Sequence, residues 1–235
     1  MTYNDGEQGM GNSFITRLPP PTSRITNMTQ LILIRHGETV WNRERRMQGH
    51  ADSPLSDTGV RQARLLAKRL KQVDFSVLYS SDSGRAHHTA RSVAEVTGHA
   101  IVVEPRLRER HFGVFEGLTG AEIQASYPDA YLRFKSRDPE YAVPGGESAL
   151  AFRARALDCL REIAKRHAAD VVTVITHGLV LDLVYRAANG IALGEPRTFE
   201  LVNAGINRVR FDGGAWRVDA WGDGSHLDEG ILTSA

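Results

Sequence analysis

A single cysteine, Cys159, occurs in 235 residues. No internal disulfide can therefore form, and a reduced, cytoplasmic setting is the simplest reading. Cys159 lies in an amphipathic helical pattern and reads as a small buried hydrophobe. No apolar run approaches the roughly 18 residues that a membrane-spanning helix needs, so no membrane partner is expected. Charge of one sign is not in excess either: 29 basic residues stand against 28 acidic ones. Nothing global then advertises nucleic acid or a membrane surface, and any preference for anions must come from local clusters. Internal repeats are missing. Hydrophobic residues at 41% and charged residues at 24% match ordinary globular usage.

That length fits one domain with an excursion or tail. Residues 1–29 are polar, with Pro19, Pro20 and Pro21 in succession, and lack the apolar segment of a signal peptide. They read as a disordered leader, with Met28 as an alternative start beside Met1. Residues 30–222 read as a single domain, with an excursion over 109–147, and residues 223–235 as a loose tail.

Leu31 to Ile34 form an apolar run, as in a strand buried on both faces. Ser56 can cap a helix whose inner face is marked by Val60, Ala63, Leu66, Leu70 and Val73. Phe75 to Tyr79 read as a second strand, followed by a helix opened by Ser81 or Asp82 and ending near Gly98. Ile101 to Val103 make a third strand, and short helices are expected around 120–135. Ser148 can cap a long helix with Leu150, Ala154, Leu157, Leu160 and Ile163 inward. Val171 to Ile175 read as a central strand, with a helix starting just after Gly178. Two late strands, near 206–211 and 215–221, flank Gly213-Gly214, a hairpin signal. Strands alternating with helices give an α/β class: a three-layer α/β/α sandwich with a mostly parallel, mixed sheet.

Functional groups in open α/β sheets gather at the carboxyl ends of strands. Two strand ends carry the same kind of sequence, Arg35-His36-Gly37-Glu38-Thr39 and Thr176-His177-Gly178. Each places a histidine at the tip, followed by a glycine that lets the backbone approach a ligand. The second strand leads through Ser80-Ser81-Asp82-Ser83 to Arg85, and the third toward Glu109. Two histidines, two arginines and one glutamate make a poor ligand set for hard cations. They suit a phosphate dianion, whose oxygens match the guanidinium fork and accept from helix N-termini.

These residues resemble the histidine phosphatase superfamily, in the branch of cofactor-dependent phosphoglycerate mutases and their phosphatase relatives. The opening motif runs on into Trp41-Asn42 and Gln48-Gly49. Leu55-Ser56 with Gly59, Arg85-Ala86 with Thr89-Ala90, and Leu107 and Glu109 with Phe112-Gly113 and Glu116-Gly117 follow in order. Pro144-Gly145-Gly146-Glu147-Ser148, Thr176-His177-Gly178 and Asn203-Ala204 complete a series covering roughly residues 30–210.

The resemblance implies a phosphoglycerate mutase-like fold. It makes His36 the nucleophile, Glu109 the proton donor and acceptor, and Arg35, Arg85 and His177 the grip on the phosphoryl group. Asn42, Gln48, Gly49 and Gly178 would line the substrate site. Phosphoryl transfer asks chiefly for in-line positioning and neutralised charge, which two guanidiniums and a second imidazole can supply. No metal and no cofactor are implied, and the partner is a small phosphorylated metabolite. A homodimer follows from family habit alone. Two readings compete for Glu109: a surface glutamate, or a carboxylate held ionised by Arg106, Arg108 and Arg110. The loop bearing Trp41, Arg43, Arg45, Arg46 and Gln48 is either a substrate wall or a solvated charged loop.

The chain departs from the family pattern at Ser83, at His88 and at Leu179, where a small residue is usual. His87 and His88 invite a metal, yet adjacent helical residues point about 100° apart. Only about thirty-five residues separate Glu109 from Gly145. True mutases carry a longer basic insert there, so a phosphatase is favoured over a mutase. A non-catalytic phosphate- or protein-binding module and a metallohydrolase on His36, His177 and Glu109 complete the alternatives. The second lacks the further carboxylates of a two-metal site.

Overall fold

Leu31 and Leu33 point to one side of the central strand, and Ile32 and Ile34 to the other, and all are fully buried. That alternation fixes the architecture, because both faces of the strand must be covered. The computed structural model describes residues 28–228. Strand β1 (Thr29–Arg35) is followed by α1 (Val40–Arg43), α2 (Asp57–Leu70), β2 (Val77–Ser80), α3 (Gly84–Thr97) and β3 (Ile101–Val103). The excursion holds α4 (Gly120–Ser126) and α5 (Pro128–Lys135). Then come α6 (Ala149–Arg166), β4 (Val171–Thr176), α7 (Gly178–Asn189), β5 (Ile206–Phe211), β6 (Trp216–Asp223) and α8 (Ser225–Asp228).

The sheet order is β3-β2-β4-β1-β5-β6. β1, β2, β3 and β4 run parallel, while β5 and β6 are antiparallel to their neighbours. On one face Leu31, Leu33, Val172 and Val174 pack with Phe152, Leu157 and Leu160 of α6 and with Val180 and Leu181 of α7. On the other, Ile32, Ile34 and Ile175 meet Leu66 and Leu70 of α2 and Ala86, Ala90 and Val93 of α3. The chain is thus the three-layer sandwich with a mixed, mostly parallel sheet. The excursion has a small core of its own, made by Phe112, Phe115, Ile123, Tyr141 and Val143.

Several sequence expectations shift locally. The leader lies outside the described residues up to 27, and Thr29 already belongs to β1. The tail is not loose from residue 223, since that residue ends β6 and His226 in α8 is buried. Helix α2 buries Gly59 and Ala67 rather than Val60, and Val73 lies beyond its end. In α6 Ala154 is exposed and Leu150 is 40% exposed, while Phe152, Ala156 and Cys159 face inward. The first turn of α6 is tied to the excursion by Leu150 N–H donating to the Pro139 carbonyl, so its stripe starts later than the pattern implied. Helix α3 starts with Ser83 in the N-cap position, where its side chain makes no capping bond, and Ser81 and Asp82 are engaged by His177 and Arg108. Arg85 is the second residue of α3.

The turn after β1 lies directly on the start of α2. A Cβ on Gly59 would stand 1.9 Å from the Glu38 carbonyl oxygen, and one on Gly37 would stand 2.6 Å from that of Gly59. Only glycine permits this approach. Gly59→Ala should therefore cost about 1–3 kcal/mol, a fall in Tm of roughly 2–12 °C at this size. Thermal unfolding checks this, and an unchanged Tm would show that the contact is relaxed at no cost.

Candidate active site

Parallel pairing of β1 with β4 aligns Arg35 with Thr176, and the His36 N–H donates to the Thr176 carbonyl at 2.9 Å. His36 and His177 therefore leave neighbouring strands at the same level, with ring centroids 5.3 Å apart in an edge-on arrangement. The His36 Nδ1 lies 2.8 Å from the Gly37 carbonyl oxygen, which can only accept. Nδ1 carries the proton, and Nε2 keeps its lone pair. Arg85 Nε donates to that Nε2 at 3.3 Å. Burial, then the charges of Arg85 and Arg35, hold the His36 imidazole well below its ordinary 6.5, so it is neutral near pH 7.

The surrounding backbone is fastened. Asn203 Nδ2 donates to the His36 carbonyl at 2.9 Å. Gly37 N–H donates to Thr89 Oγ, which itself donates to the Arg85 carbonyl. Arg85 is 1% exposed, and its guanidinium also donates to the carbonyls of Ala51 and Gly49 and to Asp52. Arg35 donates through Nη1 to the Leu201 carbonyl at 2.7 Å, while its buried Nε has no partner. His177 Nε2 lies 2.8 Å from Ser81 Oγ, and its Nδ1 is likewise buried and unpartnered. Burial first, then Arg85, push this imidazole well below its ordinary value too. An unmade bond of this kind costs about 1–3 kcal/mol, and an anion beside His36 would give the Arg35 Nε–H an acceptor. His177 is fully buried, edge-on to the His36 ring.

Glu109 follows a 3-10 turn at Pro105–Leu107. Its Oε1 accepts from the Arg110 N–H at 2.9 Å and its Oε2 from the Leu179 N–H at 3.1 Å. Burial raises the carboxyl above its ordinary value, outweighing those N–H donors and the charges of Arg85 and Arg35. The neighbouring arginines do not hold it ionised. Arg106 pairs with Glu104 and Glu162, Arg108 with Asp82, and Arg110 donates to the carbonyls of Glu147 and Tyr141. Nor is Glu109 a free surface carboxylate. Arg155 donates to the carbonyls of Arg106, Arg108 and Glu109 and pairs with Glu147, fastening the segment to α6.

A cavity of about 920 Å³ opens over these groups and is lined by Arg35, His36, Arg85 and Glu109. Asn42, Gln48, Gly49 and Gly178 line it as well. Asn42 Oδ1 accepts from the N–H and hydroxyl of Thr39, and Gln48 Oε1 is buried without a partner. At Gly49, φ is +59°, and a Cβ would meet Glu116 Oε1 at 2.0 Å. That carboxylate holds the N–H groups of His50, Ala51 and Phe112. The loop after β1 forms the wall only in part, through Arg46, Met47 and Gln48; Trp41, Arg43 and Arg45 do not reach it.

Sequence reasoning missed the far wall: Phe134, Tyr141, Phe152 and the strap at Arg197, Phe199 and Leu201. It also missed Ser81, which holds His177. The Ser80-Ser81 pair at a strand tip was the available signal there; the strap offers none. Among the described residues no three histidine, cysteine or carboxylate groups converge to hold a metal, and none of the helices is long and apolar enough to cross a membrane.

The family model of the histidine phosphatase superfamily, branch 1, matches residues 31–224. The chain belongs to the histidine phosphatase superfamily. It is 39% identical over 217 residues to phosphoglycerate mutase-like protein 4 of Arabidopsis thaliana, covering 90% of this chain and 93% of that one. It is 39% identical over 206 residues to the metal-independent phosphoserine phosphatase of the same plant, covering 86% and 84%. Among solved structures, YhfR of Bacillus stearothermophilus superposes with a TM-score of 0.79 at 38% identity, covering 85% and 99%. This histidine phosphatase superfamily member has the phosphoglycerate mutase-like fold and is an enzyme of the phosphatase kind.

Its two buried imidazoles have a consequence for stability. A depressed folded pKa means the unfolded chain binds the proton more tightly, so stability is full above pH 6.5 and drains away below it. Each histidine contributes a slope of up to about 1.4 kcal/mol per pH unit in that window. Glu109, raised from 4.5, acts in the opposite sense: its contribution is present below that value and lost above it. Thermal unfolding between pH 7.5 and 5.5 should show Tm falling below pH 6.5, with a shallower slope in His177→Gln. A flat Tm would contradict the burial of neutral rings.

Proposed function

We propose that this enzyme hydrolyses small phosphomonoesters in two half-reactions through a phosphohistidine on Nε2 of His36. The observation that carries the reading is the tautomer: Nδ1 is tied to the Gly37 carbonyl, which leaves Nε2 as a neutral nucleophile beside Arg85. The Nε2 lone pair attacks phosphorus, the ester P–O bond breaks, and Glu109 gives its proton to the departing oxygen. A water then attacks the phosphoryl group, yielding its proton to Glu109 while the P–N bond breaks and phosphate leaves. Both side chains are restored. Arg35 and Arg85 balance charge on the equatorial oxygens in both steps, and His177 and Asn42 add uncharged polar groups beside them.

The raised Glu109 pKa suits a group that must donate first and accept later. The guanidiniums of Arg35 and Arg85 stand where a metal would act, and one relative is named metal-independent. Turnover should accordingly survive exhaustive chelation, assayed on p-nitrophenyl phosphate with EDTA. The name of another relative raises a mutase reading. The short segment between Glu109 and Gly145, about thirty-five residues, supports water as acceptor over a second substrate hydroxyl. A cytoplasmic, reduced setting is part of the proposal, because the single cysteine, Cys159, leaves the chain with no internal disulfide.

His36→Ala should lower kcat/KM by at least about 10³-fold, and acid-quenched protein should lose the acid-labile label that wild type takes from ³²P-substrate. Glu109→Gln should cost about 10²–10⁴-fold for alkyl phosphates but far less for p-nitrophenyl phosphate, whose leaving group needs no proton. Equal losses for both esters would remove Glu109 from the acid role. With 3-phosphoglycerate, inorganic phosphate should accumulate rather than the 2-isomer; the reverse makes the enzyme a mutase.

A further inference from the structure

The chain between α7 and β5 has no regular structure, yet residues 200–204 are hydrogen-bonded on two sides. Inward, the Leu201 carbonyl accepts from Arg35 Nη1 at 2.7 Å, and the Ala204 N–H donates to the Arg35 carbonyl at 2.9 Å. Asn203 Nδ2 donates to the His36 carbonyl at the same distance. Outward, the segment meets the stretch from β6 to α8. Trp221 Nε1 donates to the Glu200 carbonyl at 3.0 Å, and its ring packs against Tyr185 and Phe199. His226 Nε2 lies 3.1 Å from the Ala204 carbonyl oxygen, which can only accept, so that nitrogen carries the proton. Between these two bonds, Cβ atoms added to Gly222 and Gly224 would lie 3.9 and 3.7 Å from the Val202 methyls. Ala204 is fully buried with φ at +56°, a conformation that alanine keeps only where its surroundings dictate it. Trp221 and His226 do not line the cavity, and His226 lies past residue 224, where the family match ends.

We infer that Trp221 and His226 are positioning residues for phosphoryl transfer, acting through the two carbonyls they hold. Trp221 fixes Glu200, and with it the next carbonyl, that of Leu201, which aims Arg35. His226 fixes Ala204 beside Asn203, and with them the turn that carries His36. This rests on the phosphatase reading and extends its supporting residues to β6 and α8. One peptide unit separates each clamp from a contact with the catalytic turn, and a misplacement of about 1 Å at the reacting groups costs on the order of 10²-fold.

The two clamps predict different kinetic losses, which general loosening would not. Trp221→Phe keeps a ring but loses the N–H. It should raise the inhibition constant of inorganic phosphate about tenfold, with kcat on p-nitrophenyl phosphate within about threefold of wild type. His226→Asn, whose amide falls short of the Ala204 carbonyl, should lower kcat about tenfold and leave the phosphate constant within about threefold. His226→Gln, whose amide nitrogen reaches the place of the imidazole Nε2, should recover kcat. Unchanged constants, losses in both constants together that follow Tm, or equal failure of Gln and Asn overturn the proposal. Should the variants misfold, wild type labelled with 5-fluorotryptophan gives a second reading, its signals assigned through Trp41→Phe and Trp216→Phe. The Trp221 resonance should move as phosphate saturates the enzyme while that of Trp216 stays fixed; a stationary Trp221 resonance overturns the coupling. Each of these failures leaves the phosphatase reading standing. If wild type neither hydrolyses p-nitrophenyl phosphate nor is inhibited by phosphate, that reading falls and the proposal with it.

Discussion

One hydrogen bond, from the Nδ1–H of His36 to its neighbour's carbonyl, sets the chemistry of the whole strand-end cluster. An imidazole whose proton could settle on either nitrogen would be a nucleophile only part of the time. Here the acceptor is backbone, so no side-chain titration can reverse the assignment. The backbone is itself held, by Thr89 at the Gly37 N–H, by Asn203 at the His36 carbonyl, and by the glycine contact with α2. A local tautomer choice thus draws on β1, α2, α3 and the segment before β5 at once.

The second constraint is electrostatic. Two guanidiniums and two imidazoles sit within one buried cluster, and the acids nearest it, Asp52 and Glu109, do not balance it fully: Asp52 is half-exposed and Glu109 has its carboxyl raised by burial. Burial first, and then the charge of Arg85, press both imidazole pKa values downward, and the neutral rings limit the positive charge. The remaining excess, with the idle Nε–H of Arg35, is an environment that favours an anion over water. Preorganised charge of this kind need not rearrange when the phosphoryl group transfers.

Much of this was legible in the residues. Apolar runs at Leu31 to Ile34 and Val171 to Ile175 placed the two central strands, and the histidines at their ends followed from strand-tip logic. Harder were places where one side chain had two suitors. Ser81 and Asp82 were plausible helix caps, and tertiary partners claimed both. The inner face of α6 was misread because an apolar Leu150 sits where the helix has not yet met the sheet. The strap from Arg197 to Leu201 had no pattern at all, since its role depends on a carbonyl meeting Arg35 across some 166 residues of chain. Backbone carbonyls carry no sequence signature.

The grip of Arg155 on the carbonyls around Glu109 has a wider meaning. It transfers custody of Glu109 from the irregular excursion to a long helix anchored in the sandwich. What lies between Phe112 and Tyr141 can then be lengthened, shortened or re-surfaced while the acid keeps its station. The mouth of the enzyme is free to diversify because its chemistry is moored elsewhere.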